Sequence, residues 1–260
     1  MRTATRSLFL TFAVAAGLAL AHPEVRAQAG AYDPTHYWTY TILTPGNGPF
    51  SINAGDQFIP MSPLQVMRSV KLLNWVSKDN SPVPDTLRHF VWWDVQPKIP
   101  VSRFVEIENQ FGKVNVGIEA LDFLLVPAWK NQQQPVQPNW NHYLCYRAQA
   151  PATFNGVRTF RDEWRFDQQP VYDLRYICNP CLKEHNGDQF PIIDPNTHFA
   201  VYAINPISEN FYPPVFDQFA SSLYYVYQYP QEWLFVPSIK RDIPTPTRNN
   251  SWGRLKTLYR

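Results

Sequence analysis

Glycine is scarce in this chain of 260 residues, with ten in all, and cysteine scarcer still, with three. Glycine at about half its usual share excludes a collagen-like repeat and leaves the turns to Pro, Asn and Asp. Three cysteines allow one disulfide and leave one thiol over. Charge of one sign is also missing, with 23 Lys+Arg against 21 Asp+Glu. Nowhere does an apolar run reach the roughly 20 residues that span a bilayer. Familiar catalytic signatures are absent too: the sequence has no Gly-x-Ser-x-Gly, phosphate loop, HExxH or dinucleotide fingerprint. It therefore supplies no catalytic residue and implies no cofactor.

What the chain does have is 25 prolines, 15% aromatic residues and a 45% hydrophobic content that includes nine tryptophans. That is enough apolar material for a core, so wholesale disorder is excluded. Prolines scattered along the whole length exclude long helices, since each interior proline costs a helix about 3 kcal/mol.

Arg2 and Arg6 precede an apolar run from Leu8 to Ala21 and then a charged stretch, the order of a secretory signal. Cleavage after Ala21 or after Ala27 satisfies the small-residue rule. Either cut leaves equal numbers of positive and negative groups, 21 of each or 20 of each. A neutral mature chain lacks the excess that nucleic-acid binding needs. The expectation is a protein that is secreted, periplasmic or on the cell surface, with no transmembrane segment once the signal is gone.

Four segments begin with His, then Tyr or Phe, and carry an aromatic four residues after the His: HYWTY from His36, HFVWW from His89, HYLCY from His142 and HFAVY from His198. Nineteen or twenty residues later come Asp56-Gln57-Phe58, Asn109-Gln110-Phe111, Asp162-Glu163-Trp164 and Asp217-Gln218-Phe219. A six-residue box then closes on Lys78, Lys130, Lys183 or Lys240. The boxes pair as A-B-A-B, because only the second and fourth carry Val-Pro. Residues 1–27 then read as signal and lead, 31–138 and 139–245 as two A-B units joined by the polar stretch Asn131 to Asn141, and 246–260 as a basic tail.

Each repeat predicts about three strands. Aromatic and β-branched residues fill the opening segments, and a proline eight or nine residues after each His (Pro45, Pro97, Pro151, Pro206) ends them. Arg103 to Phe111 alternates apolar and polar as a half-buried strand does. Val171 to Cys178 and Ser222 to Tyr229 have strand composition, and Ser62 to Val76 fits a short helix or a strand. The fold class is all-β, as two tandem β units or as one pseudo-fourfold body.

For the cysteines, a Cys145–Cys178 bridge, a Cys178–Cys181 CxxC bridge and no bridge all stand open. The repeats favour the first. Cys145 replaces Thr39, Trp92 and Val201 of the other repeats, and Cys178 replaces Leu73, Leu125 and Phe235, so both columns turn to cysteine in the same repeat. Such a loop closure contributes about 3–4 kcal/mol. Cys181 then reads as a buried free thiol.

Residues that recur at one position of every repeat do one structural job, so His36, His89, His142 and His198 read as strand-start hydrogen bonders. The repeated turns and lysines read as strand-end hydrogen bonds and solvated ends. The metal alternative has those four histidines converging on an axis, or His22 exposed by cleavage after Ala21 and chelating copper through its amine and imidazole.

The motifs HYLCY, CNPCLK with IIDPNTH, and LLVPAWK together resemble an uncharacterised family of secreted bacterial β-repeat proteins. The resemblance spans roughly His36 to Lys240 and implies export and a repeat β fold. It carries no catalytic residue. The chain departs from the family pattern by holding its cysteine pair in one repeat and by keeping glycine after only one of the four turns, at Gly112. The functional expectation is a non-enzymatic binding or structural module whose partner is a protein or carbohydrate at the cell surface. The alternative is a secreted metalloenzyme.

Overall fold

Side chains branched at Cβ or built on rings pack well on a pleated surface, and all four His-led segments form strands. The computed structural model describes residues 34–83, 85–131, 140–151, 154–206, 214–220 and 232–243, and the backbone of 226–227. The signal, His22, the centre of the linker, most of the Ser222 to Tyr229 segment and the basic tail lie outside them. The first repeat forms β1 (His36–Ile42), β2 (Asn47–Gly55) and β3 (Ser62–Lys78). The second forms β4 (His89–Gln96), β5 (Pro100–Asn109) and β6 (Gly112–Lys130). The third forms β7 (His142–Gln149), β8 (Gly156–Arg161), β9 (Phe166–His185) and the short β10 (Asp188–Phe190). The fourth forms β11 (His198–Ile204), β12 (Val215–Asp217), β13 (Val226–Tyr227) and β14 (Glu232–Asp242). Among the described residues there is no helix. The repeat prolines lie just past the ends of β1, β4, β7 and β11.

Every pairing is antiparallel, and the repeat columns set the register. Within each repeat the opening strand pairs with the box strand so that Thr39 faces Leu73, Trp92 faces Leu125, Cys145 faces Cys178 and Val201 faces Phe235. Between repeats the same box residues face the aromatic that follows the next histidine: Leu73 faces Phe90, Leu125 faces Tyr143 and Cys178 faces Phe199. Phe235 of the fourth repeat faces Tyr37 of the first. The eight strands β1, β3, β4, β6, β7, β9, β11 and β14 thus pair in a closed ring with no free edge. Strands from residues 31–138 and 139–245 meet at two seams, β6–β7 and β14–β1, and the described residues form one compact unit. Of the two arrangements the sequence allows, this connectivity is that of one closed body.

Strand alternation divides the core in two. One face sends Tyr37, Phe90, Tyr143 and Phe199 inward, where they meet edge to face at 5.3–6.4 Å and, between Tyr143 and Phe199, tilted at 4.9 Å, with Leu73, Leu125, Cys178 and Phe235 alongside. An eight-stranded ring is just wide enough for its own side chains. The opposite face sends Trp38, Tyr40, Trp93, Tyr146 and Tyr202 into a larger outer core. The second strand of each repeat covers that outer core. It pairs with a strand two repeats away, β2 with β9, β5 with β14, β8 with β3 and β12 with β6, and in the first three repeats also with its own third strand.

Ser62 to Val76 is strand, within β3. Its helix-like spacing comes from register shifts against β4 between Val66 and Ser69 and between Ser69 and Lys71. A bulge moves the buried positions one step out of phase, and two in succession imitate a helical period.

Candidate functional site

The repeated Asp or Asn begins the turn between the second and third strand of its repeat. The Asp56 carboxylate Oδ1 accepts the backbone N–H groups of Phe58 (2.7 Å) and Ile59 (3.1 Å), while its own N–H donates to the Ile59 carbonyl. Asp162 and Asp217 repeat this geometry with Trp164 and Arg165 and with Phe219 and Ala220. At Asn109 the side-chain carbonyl holds the Phe111 N–H, and Gly112 takes a φ of 118°. Three turns close without glycine because the carboxylate supplies the acceptor.

Each turn then docks on the repeat two steps away. Asp162 Oδ2 accepts hydrogen bonds from Trp38 Nε1, Tyr40 Oη and Asn74 Nδ2 at 2.6–2.8 Å. Asp56 accepts from Tyr146 and Asn179, Asp217 accepts from Trp93, and Asn109 donates to Tyr202 and Ser238. The aromatic four residues after each histidine is the partner of the opposite turn in every repeat. Burial pushes the Asp217 carboxyl up to about 6, against the hydrogen bond from Trp93.

The lysines close the pattern. Lys78 lies over Phe111 (5.8 Å), Lys130 over Trp164 (4.4 Å), Lys183 over Phe219 (5.3 Å) and Lys240 over Phe58 (4.5 Å). Each box lysine thus sits on the turn aromatic of the following repeat, and the fourth returns to the first. All four distances are within cation–π range. The reading of these lysines as solvated ends is corrected here: side-chain exposure is 3% at Lys130 and 2% at Lys240, and Lys183 is fully enclosed. Their stems pack under the incoming turn while the aromatic face receives the charge.

The four histidines stand at strand starts on the outer face. His36 Nε2 meets Gln110 of the second repeat's turn, and His198 Nδ1 meets Asn179 Oδ1 at 3.2 Å. His142 lies edge-on to Phe190 at 5.0 Å. Burial, reinforced by the lysine of its own repeat, pushes His36 down to about 4 and His89 and His198 to about 3, and holds His142 well below its usual value. All four are therefore neutral at pH 7. No group of three or more His, Cys, Asp or Glu able to hold a metal occurs among the described residues. Cys145 and Cys178 are bonded inside the ring, and Cys181 is a buried free thiol raised well above its usual range by burial.

The surface offers a different kind of site. In β5, Val105 and Ile107 are buried and Phe104, 60% exposed, shares the outward face of Glu106 and Glu108. Phe104 faces Gly117 of β6, which faces Gln149 of β7. A Cβ added at Gly117 would sit 3.4 Å from the Phe104 ring, so the missing side chain is what lets the ring lie close to the sheet. Phe104 lines a recess of about 590 Å³ together with Ser102, Arg103, Asn115, Glu119 and Gln149. Among the described residues, the side chains of Asn115, Glu119 and Gln149 make no hydrogen bond or ion pair. Beside the recess, hydrogen bonds from Lys113 and Arg241 hold Glu106 below the usual carboxylate range, and one from Arg241 does the same for Glu108. The recess thus joins an exposed ring to a rim of unengaged amides and a carboxylate. The sequence reading passed over Phe104, although its parity with Glu106 and Glu108 marks it as a ring on the polar face.

Fold and contacts together define an all-β repeat protein whose four units fasten one another around a closed ring. The chain belongs to the family described as a repeat of unknown function (DUF7450), whose model matches residues 88–236, more than half of its length. No curated protein and no solved structure matches it.

Proposed function

We propose that the protein is exported and serves as a non-enzymatic surface or extracellular binding module, with a carbohydrate as the ligand of the Phe104 recess. The observation that carries this reading is the exposed ring face of Phe104 within a rim of Asn115, Glu119, Gln149 and Arg103. A sugar presents C–H groups on one face and hydroxyls at its edge. An aromatic ring takes the first, and planar amides and carboxylates take the second. The volume falls in the range of small-ligand sites. The repeated histidines and lysines are packed beneath the turns, and none of them lines the recess. The basic start and apolar run Leu8 to Ala21 support export, and so does a Cys145–Cys178 bridge, since disulfides persist in oxidising compartments. In this reading the chain is an A-B-A-B duplication with units 31–138 and 139–245, and N-terminal sequencing of the exported product places the cut after Ala21 or Ala27.

A glycan array probed with the full mature chain, followed by calorimetry on any glycan retained, tests the proposal. Phe104→Ala is expected to weaken that binding at least about tenfold, equivalent to about 1.4 kcal/mol, and to leave the melting temperature nearly unchanged because the ring is exposed. An array without a binder, or equal affinity of the Phe104→Ala variant, would contradict it.

A further inference from the structure

Three of the four box lysines meet a side-chain acceptor. Lys78 pairs with Asp79 at 2.7 Å, Lys130 with Glu163 and with Asn74 Oδ1, and Lys240 with Gln57 and Asp242. Lys183 differs. It is 0% exposed, its Nζ lies 3.7 Å from the Phe190 ring centroid and 5.3 Å from that of Phe219, and no side chain or backbone group accepts its hydrogens. Two more buried nitrogens at the same junction of the third and fourth repeats are also without partners, His142 Nδ1 and Gln218 Nε2. The three groups are neighbours. His142 donates its imidazole N–H to the side chain of Gln218 and packs edge-on against Phe190, the ring on which Lys183 rests, and Gln218 precedes Phe219. Asp217, the nearest carboxylate of the fourth turn, is engaged by Trp93 and by the N–H groups of Phe219 and Ala220.

We propose that this junction binds one small monatomic anion of the halide class, held by Lys183 Nζ and Gln218 Nε2. Buried polar groups without partners are rare in folded proteins, and two unpartnered donors at one junction point to a bound species. Lys183 Nζ and Gln218 Nε2 can only donate, so the junction suits an acceptor. An enclosed ammonium calls for a counter-charge, which the other three lysines obtain from a paired carboxylate, whereas Asp217 and Asp188 act on Lys183 without forming an ion pair. Complete enclosure between two aromatic rings favours a single atom over a phosphate or sulfate. Burial pushes the Lys183 ammonium down to about 7, and a bound anion would act in the opposite direction.

The test uses the full mature chain. Crystals soaked in sodium bromide are expected to give an anomalous peak within hydrogen-bonding distance of Lys183 Nζ. In solution, chloride or bromide replacing gluconate at constant ionic strength should raise the melting temperature saturably, by about 3–6 °C at a tenfold excess over Kd. Lys183→Met should abolish that rise and Lys130→Met should retain it. If Lys183→Met does not fold, the anomalous map of the unmodified protein still decides. A junction that scatters as water, or a halide response unchanged in Lys183→Met, would overturn the proposal.

Discussion

His89 illustrates what the repeat asks of one residue. Enclosed at a strand start near Lys130, it stays neutral down to about pH 3, against 6.5 for an ordinary histidine. Its folded pKa lies below its unfolded one. Above pH 6.5 neither state is protonated and stability is full. As pH falls, the unfolded chain takes up a proton that the folded chain refuses until about pH 3, and stability drops by up to about 1.4 kcal/mol per pH unit. His36 and His198 act in the same sense. The buried carboxyls of Asp217, Asp56 and Glu232 are raised and act oppositely, so the total slope is shallower than four histidines alone would give. A difference measurement isolates one group. Between pH 6 and 4, urea denaturation of His89→Gln should show a slope of stability against pH shallower by about one proton than that of the parent. Parallel curves would show that His89 is protonated in the fold.

At the scale of the element, the informative units are the turns. Asp162 receives three side-chain hydrogen bonds from the first repeat besides the two backbone groups it caps. Asp162→Ala leaves Trp38, Tyr40 and Asn74 without their acceptor in the outer core, and should destabilise by about 3–5 kcal/mol by chemical denaturation. Ser102→Ala, on the exposed rim of β5, should change stability by no more than about 0.5 kcal/mol. A small effect at Asp162 would mean that the turn folds without docking. The same turns show what the sequence reveals and what it hides. The columns Thr39/Trp92/Cys145/Val201 and Leu73/Leu125/Cys178/Phe235 are visible as repeats, and they face one another in every repeat, which is why the disulfide was legible. The docking partners were not. Asp162 reaches Trp38 across 124 residues, and Asn109 reaches Ser238 across 129, in each case skipping the adjacent repeat. A recurring Asp or Asn looks the same in sequence whether it caps its own turn or also anchors a distant one. Phe104 was hidden differently, since an aromatic inside an alternating strand reads as core until its parity is counted.

For the whole molecule, the central claim is that four repeats close one ring and that the recurring polar landmarks fasten it. The opening strands and boxes supply the ring, and the second strands cross to the opposite repeat and cover it. Nothing covalent joins the two halves other than the linker, because Cys145 and Cys178 both belong to the third repeat. The most direct test is to place a protease site between Asn131 and Asn141, cut the folded protein there, and follow it by size-exclusion chromatography without denaturant. The ring predicts that both fragments co-elute at the position of the uncut protein, held by the β6–β7 and β14–β1 seams, and part only in urea. Two separately eluting, folded halves would contradict it.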